Sequence, residues 1–258
     1  MQILGIIPAR YSSTRFPGKP LVEIDAKPMI QRVYEQAKKA KLLSKAVVAT
    51  DDERIFNCVK QFGEVVFTGS HHQSGTDRCA EVLSKIGNDK IDVVINIQGD
   101  EPFIHPEQID LLATCFQDAE TQIATLSKKL VKHEDLFNPN VPKVIINKND
   151  EAIYFSRSVI PYCRGVEEKE WLKKHTYYKH IGIYAYRANI LKMITQLPQS
   201  SLELAESLEQ LRWIENGYKI KVAVTDYESV SIDTPEDLKK IKEGMFFTAK
   251  KQSRNEKK

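Results

Sequence analysis

Apolar residues recur along this chain in two rhythms, and the balance between them shifts halfway. Through the first hundred residues, short apolar runs alternate with stretches whose apolar positions repeat every three or four residues. Residues 3–8 form the first run and predict a buried strand. A helix is predicted over about 28–41, where Met29, Ile30, Val33 and Ala37 share one face. Residues 46–49 read as a second strand. Thr50, Asp51 and Asp52 close it and are N-cap candidates for a helix through Ile55, Val59 and Phe62. A third strand over 65–67 and a helix over about 76–86 follow. Residues 93–97 are a β-branched run of the kind buried on both faces of a sheet, and a helix begins near Pro106, a favourable first-turn residue. This alternation predicts an α/β fold with a doubly wound, mostly parallel, Rossmann-like sheet.

The second half reads differently. Residues 141–147, 152–155 and 181–186 are strand candidates rich in aromatic and β-branched side chains. The polar stretch 164–179 between the last two reads as a loop or short helix inserted in the sheet. A helix capped by Ser200 or Ser201 is expected to run through Leu204, Leu208 and Leu211, with a strand over 219–224 and a last helix over 235–245. No repeat or linker divides the chain, so residues 1–245 are expected to form one domain. A smaller mixed-strand region over about 130–185 lies within it.

Composition adds little to the fold but narrows the function. The chain has 258 residues and a formal net charge of +3. Residues 246–258 carry Lys250, Lys251, Arg254, Lys257 and Lys258 against Glu256, so the body without them is close to −1. The basic excess therefore belongs to a tail expected to be disordered, and the folded body lacks the basic face that nucleic-acid binding requires. Cys58, Cys79, Cys115 and Cys163 show no metal or disulfide spacing. No apolar run is long enough to span a membrane, and no signal-type segment opens the chain, so a cytoplasmic location is expected.

Candidate chemistry gathers at the predicted strand ends. The first strand empties into a loop carrying Arg10, Arg15 and Lys19 among small residues and turn formers. Three cations at the carboxyl end of a first strand suit a polyphosphate, although a solvated basic loop has the same composition. Asp100 follows Gly99 at the end of the β-branched strand, where it could hold Mg²⁺ or cap the next turn. Asp233 precedes Thr234-Pro235-Glu236-Asp237, in which helix capping explains every residue except Asp233 itself. Ser74, Gly75 and Thr76 open a helix that has Arg78 one turn in, and they suit either an anion or an ordinary cap. Arg157 could bind an acidic substrate, and His180 with one of the nearby tyrosines could bind hydroxyls. Tyrosines here also suit core and dimer packing. Glu203, Glu206 and Glu209, with Gln210 beside them, fall near one helix face, which by default turns to water. The chain lacks the G-x-G-x-x-G of nicotinamide enzymes after its first strand, and no Ser-His-Asp or Cys-His arrangement demands a protein nucleophile.

Taken together, these segments resemble the 3-deoxy-manno-octulosonate cytidylyltransferases, the CMP-Kdo synthetase family. The resemblance rests on nine stretches in the family's order: 8–21, 26–30, 49–51, 72–76, 96–102, 154–157, 180–184, 208–212 and 233–237. Ala26 stands where the family usually has glycine. The resemblance implies a nucleotidyltransferase fold, a homodimer joined through about 130–185, and the Mg²⁺-dependent reaction of CTP with Kdo to give CMP-Kdo and diphosphate. Arg10, Arg15 and Lys19 would then hold the triphosphate, Arg10 and Lys19 at the reacting centre, with Ser74, Gly75 and Arg78 at the nucleotide. Asp100 and Asp233 would bind Mg²⁺. Gln98, Arg157, His180, Tyr184, Glu209 and Gln210 would line the sugar pocket. The alternatives are the same chemistry on 8-amino-Kdo or a nonulosonic acid, or a nucleotide-binding module without catalysis.

Overall fold

In the computed structural model, which describes residues 1–12, 15–87, 90–228 and 230–243, the first half follows the predicted alternation. β1 (Ile3–Ala9) leads to a two-stranded hairpin, β2 (Glu23–Ile24) and β3 (Lys27–Pro28), and then to α1 (Met29–Ala37). β4 (Lys45–Thr50), α2 (Glu53–Val59), β5 (Val65–Phe67), α3 (Gly75–Ile86), β6 (Val93–Asn96) and α4 (Pro106–Cys115) follow. Side chains alternate along β1. Ile3 and Ile7 enter one core layer with Val33 and Ile109, while Leu4 and Ile6 enter the other with Val82 and Leu83. A strand buried on both faces needs this continuous apolar run. α1 and α2 stop short of the predicted ends, at Ala37 and Val59. The hairpin turn holds Asp25 and Ala26 at φ 47° and 60°, so the residue that replaces the family glycine occupies the left-handed region.

The second half contributes β7 (Ile123–Lys129), α5 (His133–Phe137), β8 (Lys143–Ile146), β9 (Ala152–Ser156), α6 (Trp171–Lys174) and β10 (Tyr178–Arg187). It ends with α7 (Ala188–Ile194), α8 (Ser201–Glu206), α9 (Gln210–Glu215), β11 (Ile220–Val224) and α10 (Pro235–Lys242). The pattern does not predict β7, α5 or α7. The expected helix over 201–211 is broken. Ser207 adopts φ 50°, ψ 49°, which ends α8 and starts a new turn before α9. The predicted end of the last helix at Met245 and the basic tail at 246–258 lie outside the described residues.

One sheet joins both halves in the order β11-β7-β10-β6-β1-β4-β5, with β8 beside β10 and β9 beside β8. The pairs β1–β4, β1–β6, β4–β5 and β7–β11 are parallel. β10 runs antiparallel to both β6 and β7. A small satellite core of Leu130, Leu136, Trp171 and Tyr177 packs beneath the 130–177 segment.

Candidate active site

Two loops meet at the carboxyl ends of β1 and β6 because Gly99 has no side chain. A Cβ at Gly99 would lie 2.4 Å from the Pro8 carbonyl oxygen. The loop after β11 is tied to the same place, with the Ile232 N–H donating to the Asp100 carbonyl at 3.0 Å. These contacts bring Asp100 and Asp233 together at Lys19, whose Nζ lies 2.8 Å from Asp100 Oδ2 and 3.3 Å from Asp233 Oδ1. Arg15 Nη2 also reaches Asp233 Oδ1, at 3.3 Å. α4 takes His105 as its N-cap residue, so the Asp100 carboxylate is free of that duty and pairs with Lys19. Thr234 and Asp237 form a complete capping box for α10, which leaves the Asp233 carboxylate available. No group of three or more His, Cys, Asp or Glu side chains converges among the described residues. An ion held by Asp100 and Asp233 would therefore complete its shell with phosphate and water oxygens. That oxygen-only donor set fits Mg²⁺.

Beside this cluster stands a pair of arginines. Arg78 is fully buried, its Nη1 3.2 Å from Asp51 Oδ1 and donating to Thr68 Oγ1. Arg10 lies close enough that burial, and then the Arg78 charge, lower its pKa. Arg78 Nε and Nη2 and Arg10 Nη2 are buried and make no hydrogen bond among the described residues. Unfilled donors on buried guanidinium groups are costly and call for an acceptor from outside the chain. Ser74 caps α3 in a capping box with Asp77, and a Cβ at Gly75 would come within 3.4 Å of Pro8, so this helix start abuts the end of β1. A cleft of about 830 Å³ is lined by Ser74, Asp77 and Glu209, together with His72, Glu203 and Arg212. Asp51 is a contact the sequence reading did not single out. Its signal was two consecutive acids at a strand end where a cap needs one, and Asp52 is that cap.

The sugar-side candidates are assembled by an irregularity in β10. Ile181 pairs with Leu126 and Tyr184 with Thr125, so β10 carries two extra residues against β7. An even insertion keeps His180 and Tyr184 on one face. Regular strand spacing would separate them by about 13 Å, whereas their ring centroids are 5.3 Å apart. The bulge carbonyls are taken up by side chains: Gln98 Nε2 donates to Gly182 O at 2.8 Å, and Thr125 Oγ1 lies 3.2 Å from Ile181 O and 2.9 Å from Ile183 O. His180 Nε2 is 3.1 Å from the same hydroxyl, and burial lowers its pKa to about 3, so the ring is neutral. Burial, reinforced by the Glu209 charge, raises the Tyr184 phenol, with the Thr125 hydroxyl as an opposing neighbour.

The broken helix supplies the remaining candidates. Glu209 follows the left-handed Ser207, accepts from Thr76 Oγ1 at 3.0 Å and has its pKa raised by burial. Glu203 is likewise buried and pairs with Arg212, so the acids are not a solvated face. Gln210 is 4% exposed and its Nε2 makes no hydrogen bond among the described residues. Arg157 bridges β9 to this segment. Its Nε, Nη1 and Nη2 donate to the carbonyls of Glu206, Pro139 and Ser207. Three of its five N–H groups are thus committed, and two remain.

The cytidylyltransferase family model matches residues 4–220. A 3-deoxy-manno-octulosonate cytidylyltransferase of Parabacteroides distasonis is 65% identical over 245 residues, covering 93% of this chain and 96% of its own. The protein of the same name from Bacteroides thetaiotaomicron is 62% identical, covering 94% and 98%. A solved CMP:2-keto-3-deoxy-manno-octonic acid synthetase complexed with CTP superimposes with a TM-score of 0.88 at 41% identity, over 96% of this chain and all of that one. The chain accordingly belongs to the cytidylyltransferases, and among them to the 3-deoxy-manno-octulosonate cytidylyltransferase family.

Proposed function

We propose that this protein transfers the cytidylyl group of CTP to Kdo, giving CMP-Kdo and diphosphate for lipopolysaccharide synthesis. The observation that carries this reading is the unfilled donors of half-buried Arg10 and fully buried Arg78, together with the Lys19, Asp100 and Asp233 cluster, in a chain of this family. The anomeric hydroxyl of the sugar attacks the α-phosphorus; its new P–O bond forms as the bond to the leaving diphosphate breaks, and the hydroxyl proton passes to solvent. Arg10, Arg15 and Lys19 hold and neutralise the triphosphate, while Ser74, Gly75 and Arg78 seat the nucleotide. Positioning and charge neutralisation supply most of the rate in such a transfer, and no covalent enzyme intermediate is needed. Asp100 and Asp233 would hold Mg²⁺, which when bound orients and neutralises phosphate oxygens. The Lys19 ammonium, released from those carboxylates, would then pair with the phosphates.

On the sugar side, Arg157 offers its two uncommitted N–H groups to the Kdo carboxylate. Gln98 offers its free amide oxygen to a hydroxyl. Neutral His180, Tyr184, Glu209 and Gln210 complete a mixed donor and acceptor wall. We further propose a cytoplasmic homodimer joined through residues 130–185, where Val131 and Tyr162 are 75% and 72% exposed. Among the described residues no helix is long and apolar enough to cross a membrane. In the same reading, residues 1–245 act as one catalytic unit.

A diphosphate-release screen tests the assignment, with CTP, UTP, ATP and GTP each offered with Kdo, 8-amino-Kdo and a nonulosonic acid. Release is expected with CTP and Kdo. Preference for another acid would move the substrate within the class, and no release with any pair would leave a binding module. Light scattering is expected to give twice the 29.5 kDa chain mass.

A further inference from the structure

The hydrogen count around Thr125 fixes more than packing. Its hydroxyl has one hydrogen and sits 2.9 Å from Ile183 O, 3.2 Å from Ile181 O and 3.1 Å from His180 Nε2. Both carbonyls only accept, so the hydroxyl hydrogen points to one of them. Donation to His180 instead would leave the Thr125 oxygen facing two carbonyl oxygens with no proton between them. The Thr125 oxygen must therefore accept at its third contact, and His180 carries its hydrogen on Nε2. Thr125 is itself fully buried, so water does not replace it in this role. His180 Nδ1 makes no hydrogen bond among the described residues and is left as a bare acceptor.

We propose that Thr125 is a positioning residue for the sugar site: its hydroxyl locks His180 in the Nε2–H tautomer, so that Nδ1 accepts a hydrogen bond from a substrate hydroxyl and disfavours sugars that lack a donor at that point. The inference rests on His180 lining the sugar pocket. The β10 bulge supports the lock, because it is the bulge that turns the carbonyls of Ile181 and Ile183 onto Thr125 and thereby uses up its only hydrogen. Specificity follows because a pocket atom built to accept is left unpaired by an analogue that cannot donate.

Long-range ¹H–¹⁵N spectra of the full-length protein labelled at histidine read the tautomer directly, with His180 assigned by the signal lost in His180→Ala. The wild type is expected to show the Nε2–H form. Thr125→Val, which keeps the shape and removes the hydroxyl, is expected to lose that single tautomer and to raise KM for Kdo about tenfold. KM for CTP stays near wild type, the melting temperature falls because the bulge carbonyls lose a donor, and Thr125→Ser restores the tautomer, the KM and the stability. An Nδ1–H form in the wild type would overturn the proposal whatever the variants do. So would a Thr125→Val protein that keeps the Nε2–H form. If Thr125→Val alters the tautomer and KM for Kdo is unchanged in both it and His180→Ala, His180 lies outside the sugar pocket and the substrate role fails with it. Should the valine variant not fold, Thr125→Ala serves in the same comparison.

Discussion

At one end of the candidate site Arg10 and Asp100 follow the carboxyl ends of parallel strands, and Lys19 reaches back to Asp100 from the loop after β1; at the other, His180 and Tyr184 lie inside an antiparallel strand, brought together by a bulge. The first end is charged. Arg10, Arg78 and Lys19 face Asp51, Asp100 and Asp233. The second end is largely neutral, with His180 held uncharged by burial and Thr125, Tyr184 and Phe155 beside it. In the proposed function, the difference matches the two substrates. A triphosphate is held by charge and close backbone approach, and a polyol is read by donors and acceptors of fixed sense.

The comparison breaks most visibly where a buried charge loses its partner. Asp51→Ala leaves the fully buried Arg78 without its counter-ion and is expected to destabilise the fold by roughly 3 kcal/mol. Arg78→Met in the same background should recover much of that loss in chemical denaturation. Additive losses in the double variant would show that the pair is not what holds Arg78. Next in size, Asp100→Asn and Asp233→Asn should each lower turnover on the order of 100-fold with the melting temperature kept, since each removes one carboxylate from the place where charge develops. Near wild-type diphosphate release at saturating Mg²⁺ would remove that carboxylate from the metal site.

Smaller losses are expected from the cations. Lys19→Ala and Arg10→Ala each remove a charge-assisted contact of about 1.5–3 kcal/mol. Their KM for CTP should rise and their KM for Kdo should hold. Equal rises for both substrates would erase the division between the two ends. A separate effect concerns pH. His180 is held near 3 in the folded protein by burial, against 6.5 when unperturbed. Above pH 6.5 both folded and unfolded states carry it neutral. As pH falls below 6.5 the unfolded chain takes up a proton that the folded chain refuses, so stability is lost on acidification. Melting temperature between pH 7 and pH 4 should fall more steeply in wild type than in His180→Gln. Parallel curves would mean that the ring is not held neutral.

The charged end was largely legible in the sequence because its residues sit next to strand ends, where position implies function. Asp233 could be picked out because capping explained each of its neighbours and left it over, and the capping box of α10 bears out that separation. Asp51 was harder to see, since it shares its strand end with the true cap, Asp52. The neutral end was legible in part: His180 and a nearby tyrosine stood out as hydroxyl binders at a strand end, whereas Gln98, Glu209 and Gln210 entered only through the resemblance. β7 carries Thr125, Ser127 and Lys128 among its apolar residues, which blurs its period, although it is buried through Ser127. The β10 bulge has no local signal beyond Gly182, because two strands must pair before an extra residue exists. The helix break depends on Ser207 in a left-handed conformation that glycine would have announced and serine does not. Glu209 and Gln210 thus read as a solvated face, whereas Gln210 is buried and Glu209 accepts from Thr76 at the start of α3.

The most direct test of the division is the KM split in Gln210→Ala, which removes a buried amide whose Nε2 has no partner among the described residues. With CTP and Kdo varied in turn, KM for Kdo is expected to rise by about tenfold while KM for CTP stays at the wild-type value. A rise confined to CTP would place Gln210 at the nucleotide and contradict the account.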